Sequence, residues 1–315
     1  MTALRRIALT GVVVTSAIIW SGGAVRLSQS GLGCTTWPKC TPRNLAAGGV
    51  TGDPLIHRWV EFGNRLLVVA VFVVAVIVFL AAARFRDPAT AARRRDLVWL
   101  AAAQPGGIIA QSVIGGILVI THLNPVWESV HYLATIPVIA AAVALYVRAG
   151  EGTGEPRPLV PRMVRVVSWV LVGVVCLMMT IGTLVTGTGP LAGAASVPRY
   201  HFLSLTGITQ LHADVGWALG VLTISLLLML VLVRAPRRPI RLCWTVLGLI
   251  GLQGVVGYTQ YFLHLPAGLV WVHVANTALI WISVMLLAFS LRERNRVPIG
   301  GLGLPGEPAS TVRSA

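Results

Sequence analysis

The sequence predicts an all-α polytopic membrane protein, with eight transmembrane helices arranged as two parallel-repeat four-helix bundles. Three observations lead there. The 315 residues are 56% hydrophobic and only 11% charged, with a mean hydropathy of +0.80. A soluble domain of this size could not hide so much apolar surface, so lipid must solvate most of it. Next, a bilayer core needs about 20 apolar residues per helical span. Stretches of that kind run from Ile7 to Val25, His57 to Ala83, Leu97 to Ile120, Trp127 to Val147, Met163 to Val185, Ile208 to Val233, Leu242 to Phe262 and Gly268 to Leu291. Finally, Gln111, Gly115, His122 and His131 recur as Gln253, Gly257, His264 and His273, every one displaced by 142 positions. Each copy ends one apolar stretch, passes a short turn containing Pro125 or Pro266, and opens the next. Such an echo in an apolar background reads as a duplication.

Charge orients the spans. The net charge of +15 would suggest nucleic acid in a soluble protein, but its distribution excludes that partner. Arg5 and Arg6 precede span one, Arg84, Arg86 and Arg93 to Arg95 fill the next even loop, and Arg148, Arg157, Arg162 and Arg165 follow span four. Arg234, Arg237, Arg238 and Arg241 separate spans six and seven, and Arg292, Arg294 and Arg296 follow span eight. The alternate loops hold only Arg26, Lys39, Arg43 and Arg199, with Arg58 just inside a span. This is the positive-inside pattern of a multi-pass protein in the cell membrane of a bacterium, with both termini cytoplasmic.

In chain order, Arg5-Arg6 and the apolar run behind them could be misread as a cleaved signal peptide. The stretch beginning Gly23-Ala-Val-Arg, however, resembles Gly182-Thr-Leu-Val at the end of span five, so span one is expected to be its structural partner. Both enter from the same side, which makes the repeats parallel. The expected organisation is an N-terminal half over 1–150, a linker over 151–161, a C-terminal half over 162–296 and a disordered tail over 297–315, rich in Gly, Pro and Ser. The first outer loop holds Cys34 and Cys40, which can be bridged if the five residues between them turn back; a zinc site is the rival reading, short of two ligands. Cys176 and Cys243 read as buried small residues. Span two places His57, Glu61, Asn64 and Arg65 on one helical face. A glutamate in a bilayer must face the bundle interior and find a partner, and Arg65 one turn on can supply it. The structural alternative is a salt bridge that only fixes helix packing.

All seven histidines, at 57, 122, 131, 201, 212, 264 and 273, fall in outer loops or the outer parts of spans. Paired imidazoles on facing helices are a usual way to hold haem iron. His212 and His273, on spans six and eight, are the natural pair; the competing reading is hydrogen bonding between helices. In the other half His131 matches His273, but the counterpart of His212 is near Asn64, with Glu61 close by. One half therefore offers a saturated site, the other a single imidazole beside a carboxylate. The sequence assigns no role to His122, His201 or His264.

The stretch Gly23-Ala-Val-Arg-Leu-Ser-Gln-Ser-Gly-Leu-Gly-Cys34-Thr-Thr-Trp37-Pro38-Lys-Cys40 resembles the first-loop signature of the haem A synthases. Glu61-Phe-Gly-Asn64-Arg65 resembles their Glu-x-x-His-Arg motif, with Asn64 in place of the usual histidine. The resemblance implies an enzyme that oxidises the C8 methyl of haem O to the formyl group of haem A, for cytochrome c oxidase of the aa3 type. It implies a haem b cofactor on His212 and His273, and the substrate haem on His131 near Asn64, Arg65 and His57. It further implies a catalytic role for Glu61 and a disulfide between Cys34 and Cys40. Because an amide is a poor iron ligand and His57 lies about 10 Å away by helical rise, the face opposite His131 is expected to be open. Two other classes remain in view: a b-type haem protein that only transfers electrons, as a quinol oxidoreductase would, and a haem transporter or chaperone. The electron donor, the source of the inserted oxygen, a homo-oligomer and direct contact with a haem O synthase stay open.

Overall fold

A computed structural model describes residues 3–46, 55–87, 91–194 and 197–294. The expected tail over 297–315 lies outside the described residues. In lipid every backbone N–H and C=O must be satisfied internally, so long apolar runs become helices. The described residues form α1 (Ala3–Leu27), α2 (Leu55–Arg84), α3 (Arg95–Ile120), α4 (Pro125–Leu133), α5 (Thr135–Arg148), β1 (Arg157–Pro158), α6 (Arg162–Thr188), α7 (Leu205–Leu232), α8 (Arg237–Phe262), α9 (Ala267–Ser290) and β2 (Arg292–Glu293). With α4 and α5 taken together, eight stretches are long and apolar enough to cross a membrane, as the sequence predicts.

Span four departs from expectation, because it is two helices with a turn at Ala134. Pro137 explains the break: it has no N–H to donate to the carbonyl of Leu133, and its ring crowds that carbonyl. The corresponding position in α9 is Leu279, and α9 runs unbroken.

The turns α3–α4 and α8–α9 share one backbone course. His122 and Leu123 have φ of 53° and 57°, and His264 and Leu265 have φ of 59° and 62°. The echoed histidines thus occupy left-handed positions, which His enters more readily than most residues. A proline follows each turn. Pro125 opens α4 behind Asn124, whose side chain accepts from the Val126 N–H, and Pro266 stands just before α9.

In the packing, α1 lies on α2 and α5, and α3 on α2, α4 and α5; α7 and α9 each lie on both α6 and α8. Across the middle, α9 meets α1 and α5, and α4 meets α6. Hydrogen bonds stitch this seam: Trp281 donates to the Ile136 carbonyl at 3.1 Å, Trp20 to that of Ala275 at 3.2 Å, and the Tyr132 and Thr277 hydroxyls meet at 2.7 Å. The largest core joins Leu171, Leu226, Leu230 and Leu287 to Ile139 and Val143 of α5. Cys243 belongs to it, whereas Cys176 is only half-buried, contrary to its reading as a buried residue. Large apolar side chains such as Val69, Trp99, Trp217 and Trp244 are exposed on the outside of the helices.

The arginine-rich end is closed by charge. Buried Arg94 pairs with Asp96 at 2.8 Å, Asp96 with Arg148 at 2.7 Å, and Arg148 with Glu151 at 2.8 Å. Its hydrogen bonds to the Asp96 carboxylate hold the Arg94 guanidinium above its ordinary range. Arg292 and Arg294 reach Glu151 at 3.9 and 3.8 Å, and β1 pairs with β2, so the stretch between α5 and α6 is tied to the chain after α9.

Candidate functional site

The α7 and α9 helices sit across from one another, each flanked by α6 and α8. Into the space between them they project His212 and His273, with ring centroids 6.2 Å apart and planes at 52°. Each imidazole rests on a glycine. A Cβ added at Gly182 would lie 3.4 Å from the His212 ring, and one at Gly257 would lie 3.2 Å from that of His273. Both Nδ1 atoms are buried and unpartnered. The backbone beside His273 is fixed by Gln253, which donates to the His273 carbonyl at 3.0 Å and accepts from Asn276 at 2.8 Å.

The other half repeats this only in part. His131, on α4, lies against Gly115, where a Cβ would come within 3.1 Å of the ring, and its Nδ1 is likewise buried and unpartnered. Gln111 stands where Gln253 does, yet its amide atoms are buried with no partner. The counterpart of Asn276 is Ala134, which offers no side-chain donor. On α2, the Asn64 amide oxygen accepts from the Ser21 hydroxyl at 2.7 Å. No hydrogen bond or ion pair joins His131 to Asn64, Glu61 or Arg65.

Glu61 and Arg65 grip the loop between α1 and α2. They form the ion pair that their spacing predicts, at 2.5 Å, with Glu61 buried. The second Glu61 oxygen accepts from the Cys34 N–H at 2.6 Å. Arg65 also donates to the carbonyls of Thr36, Lys39 and Pro38 at 3.0, 3.3 and 3.4 Å. The structure joins the sulfurs of Cys34 and Cys40, whose Cα atoms are 4.3 Å apart. Between them Trp37 lies flat on α3 at Gly116, where any Cβ would collide with its ring. The loop therefore covers the ends of α2 and α3, one residue from the glycine that supports His131. His57 Nδ1 meets the Ser30 hydroxyl at 2.8 Å, so it braces the start of this loop.

His122, His201 and His264 are exposed, which sets them apart from the other four. Among the described residues, no group of three or more His, Cys, Asp or Glu converges on a bare metal ion. Sequence reasoning passed over the cluster beside His131. Glu128, one turn earlier on α4, pairs with Arg26 of α1 at 3.5 Å, and Arg26 also reaches the Thr186 hydroxyl of α6 at 3.4 Å. The signal was available in the Glu128-x-x-His131 spacing. Ser21 as the partner of Asn64 left no signal.

Residues 55–207 match the model of the COX15-CtaA family, described as cytochrome oxidase assembly protein. That segment is similar to this family. It contains Glu61, Asn64, Arg65 and His131, but begins after Cys34 and Cys40 and ends before His212 and His273. Similar curated proteins include a heme A synthase of Oceanobacillus iheyensis, 27% identical over 110 residues, covering 35% of this chain and 33% of that protein. A heme A synthase of Geobacillus kaustophilus is 30% identical over 123 residues, covering 38% of this chain and 34% of its own length. One of Geobacillus thermodenitrificans is 26% identical over 123 residues, again 38% and 34%. The matches thus span about a third of each of these relatives.

Proposed function

We propose that this membrane protein is a haem A synthase, oxidising the C8 methyl of haem O to a formyl group through successive hydroxylations. The observation that carries the reading is the unequal provision of the two halves. One has two imidazoles set across a gap, and the other has a single imidazole near a loop held by a carboxylate. A metal–imidazole bond is about 2 Å, so an iron between two rings sets their centres roughly 6 Å apart. The 6.2 Å between His212 and His273 fits that spacing. A haem b there would supply one-electron redox chemistry.

The chain's own residues divide the work. Gly182 and Gly257 leave room for the imidazoles, and Gln253 fixes the backbone that carries His273. His131 holds the substrate iron from one side, while Asn64, already engaged with Ser21, leaves the other open. The Cys34–Cys40 disulfide, Trp37 and the Arg65 bonds to loop carbonyls keep the loop over the substrate and limit water there. Glu61 holds a negative charge at the reacting edge, as general base or fixed counter-charge. The two halves descend from a duplication, and the arginine-rich end, with both termini, is cytoplasmic. An electron-transfer protein would need a second imidazole pair, which Asn64, an amide in place of an imidazole, does not supply.

The deciding experiment expresses the full chain with a haem O supply in a host lacking haem A, then extracts and mass-analyses the pigment. Haem A is expected; haem O unchanged, with both haem sites filled, would favour electron transfer or transport. The cysteines give a further test. In intact membranes Cys34 and Cys40 should resist alkylation until reduced. Changing both to Ser should lower haem A output while sparing the absorption due to His212 and His273. Ready labelling without reductant would rule out the disulfide.

A further inference from the structure

At the arginine-rich end, away from every histidine, lies a cavity of about 300 Å³ walled by Arg162, Arg165, Arg292, Trp169, Val166 and Leu291. Three guanidinium groups line it and, among the described residues, no carboxylate does. Arg292 is held over the Phe289 ring at 5.4 Å and lies 3.9 Å from Glu151, so its charge is partly offset. Arg162 and Arg165 make no ion pair among the described residues, and the Arg165 Nε is buried without a partner. Trp169 packs edge-on against Phe289 at 6.3 Å, giving the cavity an aromatic wall.

What lies above the cavity narrows the choice of ligand. Met163, Val166, Trp169, Val170 and Leu177 of α6 are all exposed, at 46–66% of their full area. They form a stripe at helical spacing that starts at the arginines and climbs into the span. Gly173 interrupts the stripe, with nothing within 4 Å of the place its Cβ would take. The surface is therefore cationic at its base and apolar above, with a shallow saddle one turn past the tryptophan. A free anion would use only the base.

We propose that this site binds an anionic phospholipid, with its headgroup phosphate among Arg162, Arg165 and Arg292 and an acyl chain along α6 past Trp169 and over Gly173. Basic pockets beside transmembrane helices are suited to such headgroups, and tryptophan to the level of the membrane interface. The proposal is independent of the haem chemistry.

Native mass spectrometry of the purified full chain tests it, with phosphatidylglycerol and phosphatidylcholine of matched acyl chains as probes. Phosphatidylglycerol should bind about tenfold tighter or more, on the scale of the contribution of each basic residue near a lipid surface. Arg162→Gln/Arg165→Gln should abolish that preference. Arg237→Gln/Arg238→Gln, which removes equal charge from exposed positions at the same end, should retain it. The single Arg162→Gln, at an exposed helix start, should lower it by itself and serves if the double variant fails to fold. Excess inorganic phosphate should leave the lipid bound. Equal binding of the two lipids, equal loss in the two double variants, or displacement by phosphate would overturn the proposal, the last by making this a site for a free anion.

Discussion

Under the proposed function, replacing His273 with Ala is expected to remove the six-coordinate haem absorption of the purified protein while leaving the chain inserted in the membrane. His212→Ala is expected to do the same. The two imidazoles lie 6.2 Å apart with unpartnered nitrogens, and deletion of either leaves a haem with one axial ligand. Groups outside the coordination sphere are already worth roughly 10–100-fold in metal affinity, so losing a ligand should cut retained haem by about tenfold or more. Folding should survive. The Nδ1 of each ring has no partner among the described residues, and each ring rests against a glycine. His131→Ala should spare this absorption, because the proposed function puts His131 at a separate site. A full six-coordinate spectrum in both His212→Ala and His273→Ala would exclude the pair as haem ligands, and with it the division of labour between the halves.

Glu61→Gln should separate chemistry from architecture. The amide preserves shape, and its oxygen can still accept from the Cys34 N–H. Arg65 keeps the carbonyls of Thr36, Pro38 and Lys39, so its charge is not stranded, the usual cause of large losses when a buried pair is broken. The variant is therefore expected to fold and to bind haem through His131, His212 and His273. Haem A should fall on the order of 10²-fold, the scale at which general bases and preorganised charges contribute, with haem O or a hydroxylated intermediate accumulating. Extracted pigment and its mass spectrum decide the matter. Normal haem A from a stable variant would remove Glu61 from the chemistry, and haem loss or misfolding first would make Glu61 a structural anchor for the loop. The second outcome has a concrete basis, since both carboxylate oxygens already hold partners.

The parts of this protein legible in its sequence are those set by local spacing. Glu61 and Arg65, four residues apart, pair as a helix requires. The displacement of 142 residues reappears as two turns with matching left-handed positions at His122 and His264. The eight spans follow from apolar runs of membrane length. The sequence was silent where distant elements meet. Arg26 and Glu128 come together between α1 and α4, and Cys34 finds Glu61 from across a loop. In lipid, side chains facing another helix and side chains facing acyl chains are both apolar, so pattern alone does not show which helix faces which. The break at Pro137 was readable in principle, but the hydropathy of span four is continuous across it.

That break has a consequence for traffic through the molecule. The α9 helix carries His273 on an uninterrupted rod, and Gln253 and Asn276 lash its backbone to α8. The α4 helix carries His131 on nine residues that end at a joint, next to a Gln111 with nothing to hold. Under the proposed function, the resident haem hangs from the rigid member, while the haem that must arrive, be altered and depart hangs from the jointed one. On that reading the two halves differ in compliance as well as in chemistry, one serving as a berth and the other as a dock.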